Sequence, residues 1–361
     1  MATTGYTSPI AIHPGETVKE TLEVLGVSQS DLSLSTGLAE KTISEILNGK
    51  NPVTPETALK FERVLGISKL GLIGMQAQYD ADLSRIKEAK RLEEEAQHLD
   101  KFSCYPELAK LGYVKKTRNS IEKVEELLRF FAVDSFSAIQ QVMPVAFRRS
   151  NVEKINNESL AAWLRIGNIE ANKIETKEFD LDKLKDKLDE MKDLTIQDAE
   201  QYSKKLVELC AECGIALVYT HYLKNTNVNG ATRWLTPRKA LIQLSLRYKY
   251  ADCFWFTFFH EIGHLIKHGK KEVFVDFKGS NDNSELEQEA DQFAQKTLIP
   301  SSASFENFVG SLNPANIKIK IPLFAKENNI DPGIVAGRVG NETGKWNLVA
   351  HFRRQLCFKG E

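Results

Sequence analysis

The spacing of apolar residues divides the chain into segments of different periodicity. Residues 8–70 form short helical periods separated by turn signals, and residues 78–130 combine helical spacing with dense charge. From Gly214 onwards, branched and alternating apolar residues predict β-strands, with helices after them. We therefore predict a mostly α-helical chain with one smaller α+β domain.

The same patterns place individual elements in the C-terminal two thirds of the chain. They predict helices over 158–174, 181–192 and 285–299, strands over 214–220 and 240–246, and two short helices around the turn 328–332. The expected domains are a four- or five-helix domain, a helical connector, the α+β domain and a helical extension, covering residues 8–72, 76–195, 196–310 and 311–361.

Composition narrows the class of protein. Of the 361 residues, 42% are hydrophobic and 27% are charged, and the formal net charge is −1. Any affinity for nucleic acid must therefore come from a local surface. The N-terminus has no signal-peptide pattern, and the longest apolar run, 254–266, is too short and too polar to span a bilayer. We expect a cytoplasmic protein that does not enter the membrane.

Five scattered cysteines argue against a disulfide framework. The closest pair is Cys210 and Cys213. A redox or metal motif would have this spacing, but no second pair completes a zinc site. We interpret both as small apolar residues at the end of a helix.

The strongest chemical signal is the motif HEIGH at residues 260–264. It follows an apolar run that predicts a buried helix, and its two histidines, four residues apart, share one helix face and can bind one tetrahedral metal ion. Glu261 would then act on a water molecule as general base. The predicted acidic helix near Glu285 is the natural source of a third ligand.

Two further expectations concern the substrate. His268 and Tyr248 are candidates for a second group that stabilises an oxyanion, although the exposed end of a helix is the favoured position for His268. The predicted strand 240–246 would offer an edge on which an extended peptide could pair.

Residues 13–67 have the pattern of two short helices packed at a sharp angle. Ser28 is the expected N-cap of the first helix, Gly37 ends it, and a second helix begins at Ala39. The positions expected to be buried between them are Leu32, Ile43, Ile46 and Leu47. This is helix-turn-helix geometry.

In such a module the second helix enters the major groove of DNA. The residues expected to reach bases are Glu40, Lys41 and Ser44, with Glu45 one turn on, and those expected at the backbone are Gln29, Asn48 and Lys50. Residues 8–70 contain six Lys/Arg against eight Asp/Glu. We therefore expect a homodimer on a palindrome, which doubles the phosphate contacts. A protein-binding helical module is the alternative.

The stretch from HPGE through TISEILNGK to VTPETALK resembles the HigA-type antitoxins of the Cro-like repressor superfamily. The resemblance implies double-stranded operator DNA as the ligand and a toxin as a further partner.

A second resemblance covers roughly residues 200–300. The segments ATRWLTPRKALIQLSLRYKY, HEIGHLIKHG and ELEQEADQFAQKTLIP are similar to the ImmA/IrrE family of metallopeptidases, which process repressor proteins. This implies Zn²⁺ held by His260, His264 and Glu289, with Glu285 as the competing third ligand. Asp291 replaces the more usual asparagine, and we expect it to support a ligand.

Together the two resemblances imply a bacterial regulator that carries its own zinc-dependent endopeptidase, which cleaves a repressor protein, either this chain or a partner. Two other interpretations remain open. The zinc domain would be a non-catalytic sensor or scaffold, or the chain would be an antitoxin whose C-terminal half binds a toxin. Glu261 favours catalysis, because a structural zinc site needs no general base.

Overall fold

The computed structural model describes residues 9–147, 155–245, 247, 249–268, 274–277, 285–300 and 302–356. The chain divides into two compact units, residues 1–98 and 99–361. Within the described residues, no helix is both long enough and apolar enough to cross a bilayer. The candidate Tyr248 lies outside the described residues.

Residues 9–98, the described part of the N-terminal unit, contain five helices. These are α1 (Pro14–Leu25), α2 (Gln29–Thr36), α3 (Glu40–Leu47), α4 (Pro55–Leu65) and α5 (Lys69–Ala96). As predicted, Ser28 caps α2: its hydroxyl accepts the Asp31 backbone N–H, and Asp31 accepts the Ser28 N–H in return. Gly37, with φ of 70°, ends α2 in the left-handed conformation. The four residues expected in the core are all buried.

The boundary between the units lies later in the chain than the sequence predicts. The expected gap between residues 72 and 76 falls inside α5, which continues to Ala96. Exposed pairs such as Arg91 with Glu88, 2.7 Å apart, support its polar second half. The helices of the predicted connector do not form a separate unit either, because they share a core with the sheet.

The C-terminal unit combines helices with one small sheet. Its helices are α6 (Tyr105–Lys110), α7 (Ser120–Phe131), α8 (Phe136–Val142), α9 (Pro144–Phe147), α10 (Asn157–Ala171), α11 (Leu181–Asp186), α12 (Leu188–Asp193), α13 (Ala199–Glu212), α14 (Ala251–Lys267), α15 (Glu285–Leu298), α16 (Ser302–Gly310), α17 (Ile317–Glu327), α18 (Pro332–Thr343) and α19 (Trp346–Val349). Its strands are β1 (Ile215–Thr220), β2 (Val228–Thr236), β3 (Lys239–Ser245) and β4 (Phe274–Phe277). The prediction of a mostly α-helical chain with a smaller α+β domain is confirmed.

The sheet has the order β1-β3-β2-β4, in which β1 and β3 are parallel and the other neighbours are antiparallel. The expectation that β3 offers an edge to a substrate is wrong, because β3 pairs with a strand on each side. Strand β2 is an addition to the predicted elements, and its central residues include Gly230, Thr232 and the buried Arg233.

One face of the sheet packs on α10 around a buried polar network. Arg233 donates to the Leu164 carbonyl at 2.5 Å and to Gln243 Oε1 at 2.7 Å, and Gln243 donates to the Trp163 carbonyl. Burial lowers the pKa of Arg233 to about 9, against the opposing charge of Glu261. The guanidinium is still protonated at neutral pH, so these acceptors compensate a buried charge.

Cys210 and Cys213 end α13 on the other face of the sheet, and both are buried in the main apolar core. Burial raises the pKa of both thiols. Both therefore remain protonated at neutral pH, in agreement with the interpretation as apolar residues.

Gly167 of α10 leaves the space that this polar network needs. A methyl group there would lie 1.9 Å from Gln243 Oε1 and 2.6 Å from Arg233 Nη2. We expect Gly167→Ala to lower the free energy of unfolding by about 1–3 kcal/mol, because the network must shift. Chemical denaturation measures this change. Gly310→Ala is the control, since a methyl group there meets nothing within 4 Å; equal stability of the two variants would contradict the prediction.

Candidate metal centre and nucleic-acid interface

The motif helix α14 is buried along most of its length. Trp255, Phe258, Phe259 and Ile262 anchor it in the main core of the C-terminal unit. With this face fixed, His260 and His264 project on another side of the helix, where each is at most 4% exposed. The predicted buried helix with two adjacent imidazoles is therefore present.

Three ligand atoms converge beside α14. His260 Nε2 lies 3.0 Å from His264 Nε2 and 3.1 Å from Glu287 Oε2, and the remaining distance, His264 Nε2 to Glu287 Oε2, is 3.6 Å. In a tetrahedral zinc site with bonds near 2.0–2.1 Å, ligand atoms lie about 3.4 Å apart. The donor set of two imidazoles and one carboxylate therefore fits zinc, with a fourth position left over.

The carboxylate in this cluster is Glu287, and the expectation of Glu289 needs correction. Glu287 is one of the three clustered ligands and its side chain is 16% exposed. The side chain of Glu289 is 55% exposed and contacts His268 instead. Two residues along a helix amount to about 200°, so the two glutamates point to different sides of α15. Glu285, the other candidate, is exposed and lies outside the cluster.

Close packing of α15 on α14 brings Glu287 of α15 next to the two histidines of α14. A methyl group on Gly263 would lie 3.1 Å from Ala290 Cα and 3.2 Å from the Phe293 ring, so this glycine allows the two helices to approach. Ala290 is fully buried in the contact. The glycine of HEIGH therefore has a packing function in this chain.

Each metal-site histidine has a partner at its other ring nitrogen. Asp291 Oδ1 lies 2.8 Å from His260 Nδ1, and His268 Nδ1 lies 3.0 Å from His264 Nδ1. Glu289 Oε2 lies 3.2 Å from His268 Nε2. If both imidazoles carry their proton on Nδ1, these contacts leave each Nε2 lone pair directed at the cluster. Glu289 is thus linked to His264 indirectly, because it contacts His268 and His268 contacts His264.

The protonation states of the cluster suit metal binding. Burial lowers the pKa of His264, which favours the neutral imidazole. Burial acts to raise the pKa of Glu287, but its contacts with the imidazoles of His260 and His264 outweigh burial and hold this pKa far below its usual range. A neutral imidazole beside an ionised carboxylate is the combination that a divalent cation requires.

Glu261 lies between α14 and the sheet and is fully buried. Its Oε2 accepts the Thr232 hydroxyl at 2.6 Å, which fixes the orientation of the carboxylate. Gly230 of the same strand faces Oε1, and a methyl group there would come within 2.4 Å of that oxygen. Thr232 and Gly230 of β2 therefore form the wall behind Glu261, a feature that the sequence analysis missed.

In the N-terminal unit, α2 and α3 place the predicted DNA-contacting residues at the start and end of short helices. Gln29 and Glu40 begin their helices and are exposed, and the Lys41 side chain is 85% exposed. Ser44 is half-buried, and Lys50 is exposed just beyond α3. Glu40 and Lys41 thus lie in the first turn of α3, and Ser44 follows one turn after Glu40.

Two of the residues predicted to contact DNA already interact with other side chains or backbone groups of the protein. Glu45 accepts a hydrogen bond from Asn51 Nδ2 at 2.6 Å and lies 3.9 Å from Lys41 Nζ. Asn48 donates its side-chain amide to the Ser44 carbonyl at 2.7 Å. The remaining exposed side chains are better placed to meet DNA without first losing an internal hydrogen bond.

Comparison with known proteins matches a segment of each unit to a protein family. Residues 18–72 match the helix-turn-helix family, and residues 215–307 match the IrrE N-terminal-like domain. The HTH-type transcriptional regulator YddM of Escherichia coli (strain K12) is 32% identical over 81 residues, which are 20% of this chain and 86% of the relative. Virulence-associated protein I of Dichelobacter nodosus is 32% identical over 75 residues, 20% of this chain and 69% of the relative.

Among solved structures, an addiction module antidote protein of a HigA family from Coxiella burnetii is 29% identical. It covers 24% of this chain and 94% of its own, with a TM-score of 0.22. The two family matches define a two-part class of protein, with a helix-turn-helix unit and a peptidase-family unit on one polypeptide. The chain belongs to the helix-turn-helix family through its N-terminal unit and carries an IrrE N-terminal-like domain in its C-terminal unit.

The partners of the two histidines lead to a prediction about metal affinity. We expect Asp291→Ala and His268→Ala each to weaken zinc binding by about 10–100-fold, because the imidazoles lose the groups that orient them. Competition with a chromogenic chelator measures this affinity. Glu285→Ala is the control and keeps wild-type affinity. Unchanged affinity in both test variants would show that these contacts do not orient the ligands.

Proposed function

We propose that this chain is a DNA-binding transcriptional regulator whose C-terminal unit is a zinc-dependent endopeptidase. Its substrate is a repressor protein, either another copy of this chain or a partner repressor, and cleavage releases transcription. It acts in the cytoplasm. Each unit supplies one half of this function, and each half has its own test.

The observation that carries the enzymatic half is the combination of three clustered ligand atoms with a buried, oriented carboxylate. His260, His264 and Glu287 supply two nitrogens and one oxygen, all within 4.8 Å of one another. Glu261 follows His260 directly in the helix but takes no part in this cluster. A purely structural zinc site usually closes its fourth position with a protein ligand and needs no such carboxylate.

The residues of the cluster would hold Zn²⁺, and Asp291 and His268 would orient the two imidazoles. Zinc in such a site acts as a Lewis acid that lowers the pKa of water and polarises a peptide carbonyl. Glu261 would accept the proton of the attacking water and later deliver it to the leaving amine. Thr232 holds one carboxylate oxygen, at 2.6 Å, and so keeps this base in a single orientation.

Glu261→Gln tests whether the site is catalytic. We expect peptide cleavage to fall by about 10²–10⁴-fold, because glutamine cannot accept the proton, while the zinc content stays at the wild-type level. The assay detects cleavage in a proteome-derived peptide library by mass spectrometry. Glu285→Gln, a change of the same kind at an exposed position of α15, is the control. If the wild-type protein contains zinc but cleaves no peptide, the result would instead favour the non-catalytic sensor or toxin-binding interpretation.

The DNA-binding half rests on the geometry of α2 and α3 and on the family match of residues 18–72. The first five residues of α3 include Glu40, Lys41 and Ser44, the positions from which a recognition helix would read bases. Acidic residues outnumber basic ones in residues 8–70. A homodimer on a palindromic operator compensates this excess of acidic residues, because two copies of the unit double the number of phosphate contacts.

The double variant Lys41→Ala and Ser44→Ala tests the assignment of α3. With an operator selected from random DNA by the wild-type protein, we expect affinity to fall at least about fivefold, since each lost base contact costs about 1–3 kcal/mol. Fluorescence anisotropy at fixed salt measures it. Lys87→Ala, at an exposed position late in α5, is the control. Equal affinity of the double variant and the wild type would remove α3 from the interface.

A further inference from the structure

A cavity of about 330 Å³ lies between α14, α15 and α18, beside the metal-site residues. Its walls include Phe256 of α14, Leu298 of α15 and Ile334 of α18, and Trp346 lines it as well. Neither the proposed cleavage chemistry nor DNA binding uses this cavity. A cavity of this size falls in the range of ligand-binding pockets.

The cavity and the metal site share one face of α14. Cys253, Phe256 and His260 are spaced i, i+3 and i+7, so the first two line the cavity on the side from which His260 projects. The ring centroids of Phe256 and His260 are 6.4 Å apart.

Asp291 joins the two regions on the other helix. It lines the cavity, and its Oδ1 lies 2.8 Å from His260 Nδ1. Gln295 and Leu298, one and two turns later in α15, continue the same wall. The cavity therefore reaches the residue that contacts His260 at the ring nitrogen outside the metal cluster.

The charges in the cavity wall are largely paired. Asp252 accepts a hydrogen bond from Arg353 Nε at 2.9 Å, and Arg338 donates to Glu342 at 2.9 Å. Asp291, the other charged residue of this wall, contacts His260 Nδ1. The rest of the wall consists mainly of the phenyl ring of Phe256 and the aliphatic and indole groups around it. An uncharged, apolar occupant matches such a wall, because burying an unpaired charge there would cost free energy.

We infer that this cavity binds a large apolar side chain, aromatic or branched aliphatic, of the peptide substrate at a residue next to the scissile bond. The inference rests on the proposed peptidase function and specifies its substrate. An engineered apolar cavity of about 150 Å³ holds benzene, so the present volume accommodates phenylalanine, leucine or tryptophan. Each methylene buried in such a pocket changes specificity by about 10–200-fold.

Cleavage-site profiling tests the inference directly. The zinc-loaded full chain is incubated with a proteome-derived peptide library, and the cleaved positions are read by mass spectrometry. We expect one position beside the cut to prefer Phe, Leu, Trp or Tyr over Ala and Gly by at least about tenfold. Asn341→Trp introduces a large side chain at an exposed residue that lines the cavity, and it should reduce this preference by at least about tenfold. Lys318→Trp, at an exposed position of α17 away from the cavity, is the control.

The outcomes separate this inference from the proposed function. Cleavage without any preference for large apolar residues, or with a preference that Asn341→Trp leaves unchanged, overturns the pocket and keeps the peptidase. If the wild type cleaves nothing, binding of N-acetyl-phenylalanine amide decides the question. Calorimetry should then find binding to the wild type and to Lys318→Trp, at least tenfold weaker binding to Asn341→Trp, and weaker binding of the alanine analogue. Equal binding of both amides would overturn the inference.

Discussion

The burial of Glu261 between α14 and β2 is the constraint on which the rest of the C-terminal unit depends. A carboxylate that is fully buried needs a hydrogen-bond partner and a close wall, and β2 provides both through Thr232 and the missing side chain of Gly230. This contact and the buried apolar face of α14 together fix the rotation of the helix against the sheet. The same rotation directs His260 and His264 away from the apolar core and towards α15, where Glu287 completes the cluster.

Helix periodicity and capping predicted much of the fold. Ser28 and Gly37 marked the ends of α2 because their local chemistry acts within a few residues, and the apolar run before HEIGH predicted a buried helix for the same reason. Pairing of the strands depends on residues far apart in the chain. The inner position of β3 and the contribution of β2 therefore could not be read from local patterns.

The candidate site was predictable to the extent that it lies on one helix. The two histidines and Glu261 follow from spacing alone, whereas the third ligand depends on how a second helix is rotated. Glu287 and Asp291 are four residues apart and so share the face of α15 that meets His260, and this spacing was the signal in the sequence that could have identified Glu287. The resemblance to the ImmA/IrrE family had favoured Glu289, which instead contacts His268.

The metal content of Glu287→Ala shows directly whether His260, His264 and Glu287 form one metal site. Full-length protein purified without added metal should contain about one zinc per chain in the wild type and in Glu285→Ala, because both retain the complete donor set. Glu287→Ala should contain far less, while its circular dichroism spectrum stays that of the wild type. One equivalent of zinc retained in Glu287→Ala, or none in the wild type, would contradict the assignment of the metal centre and the peptidase function built on it.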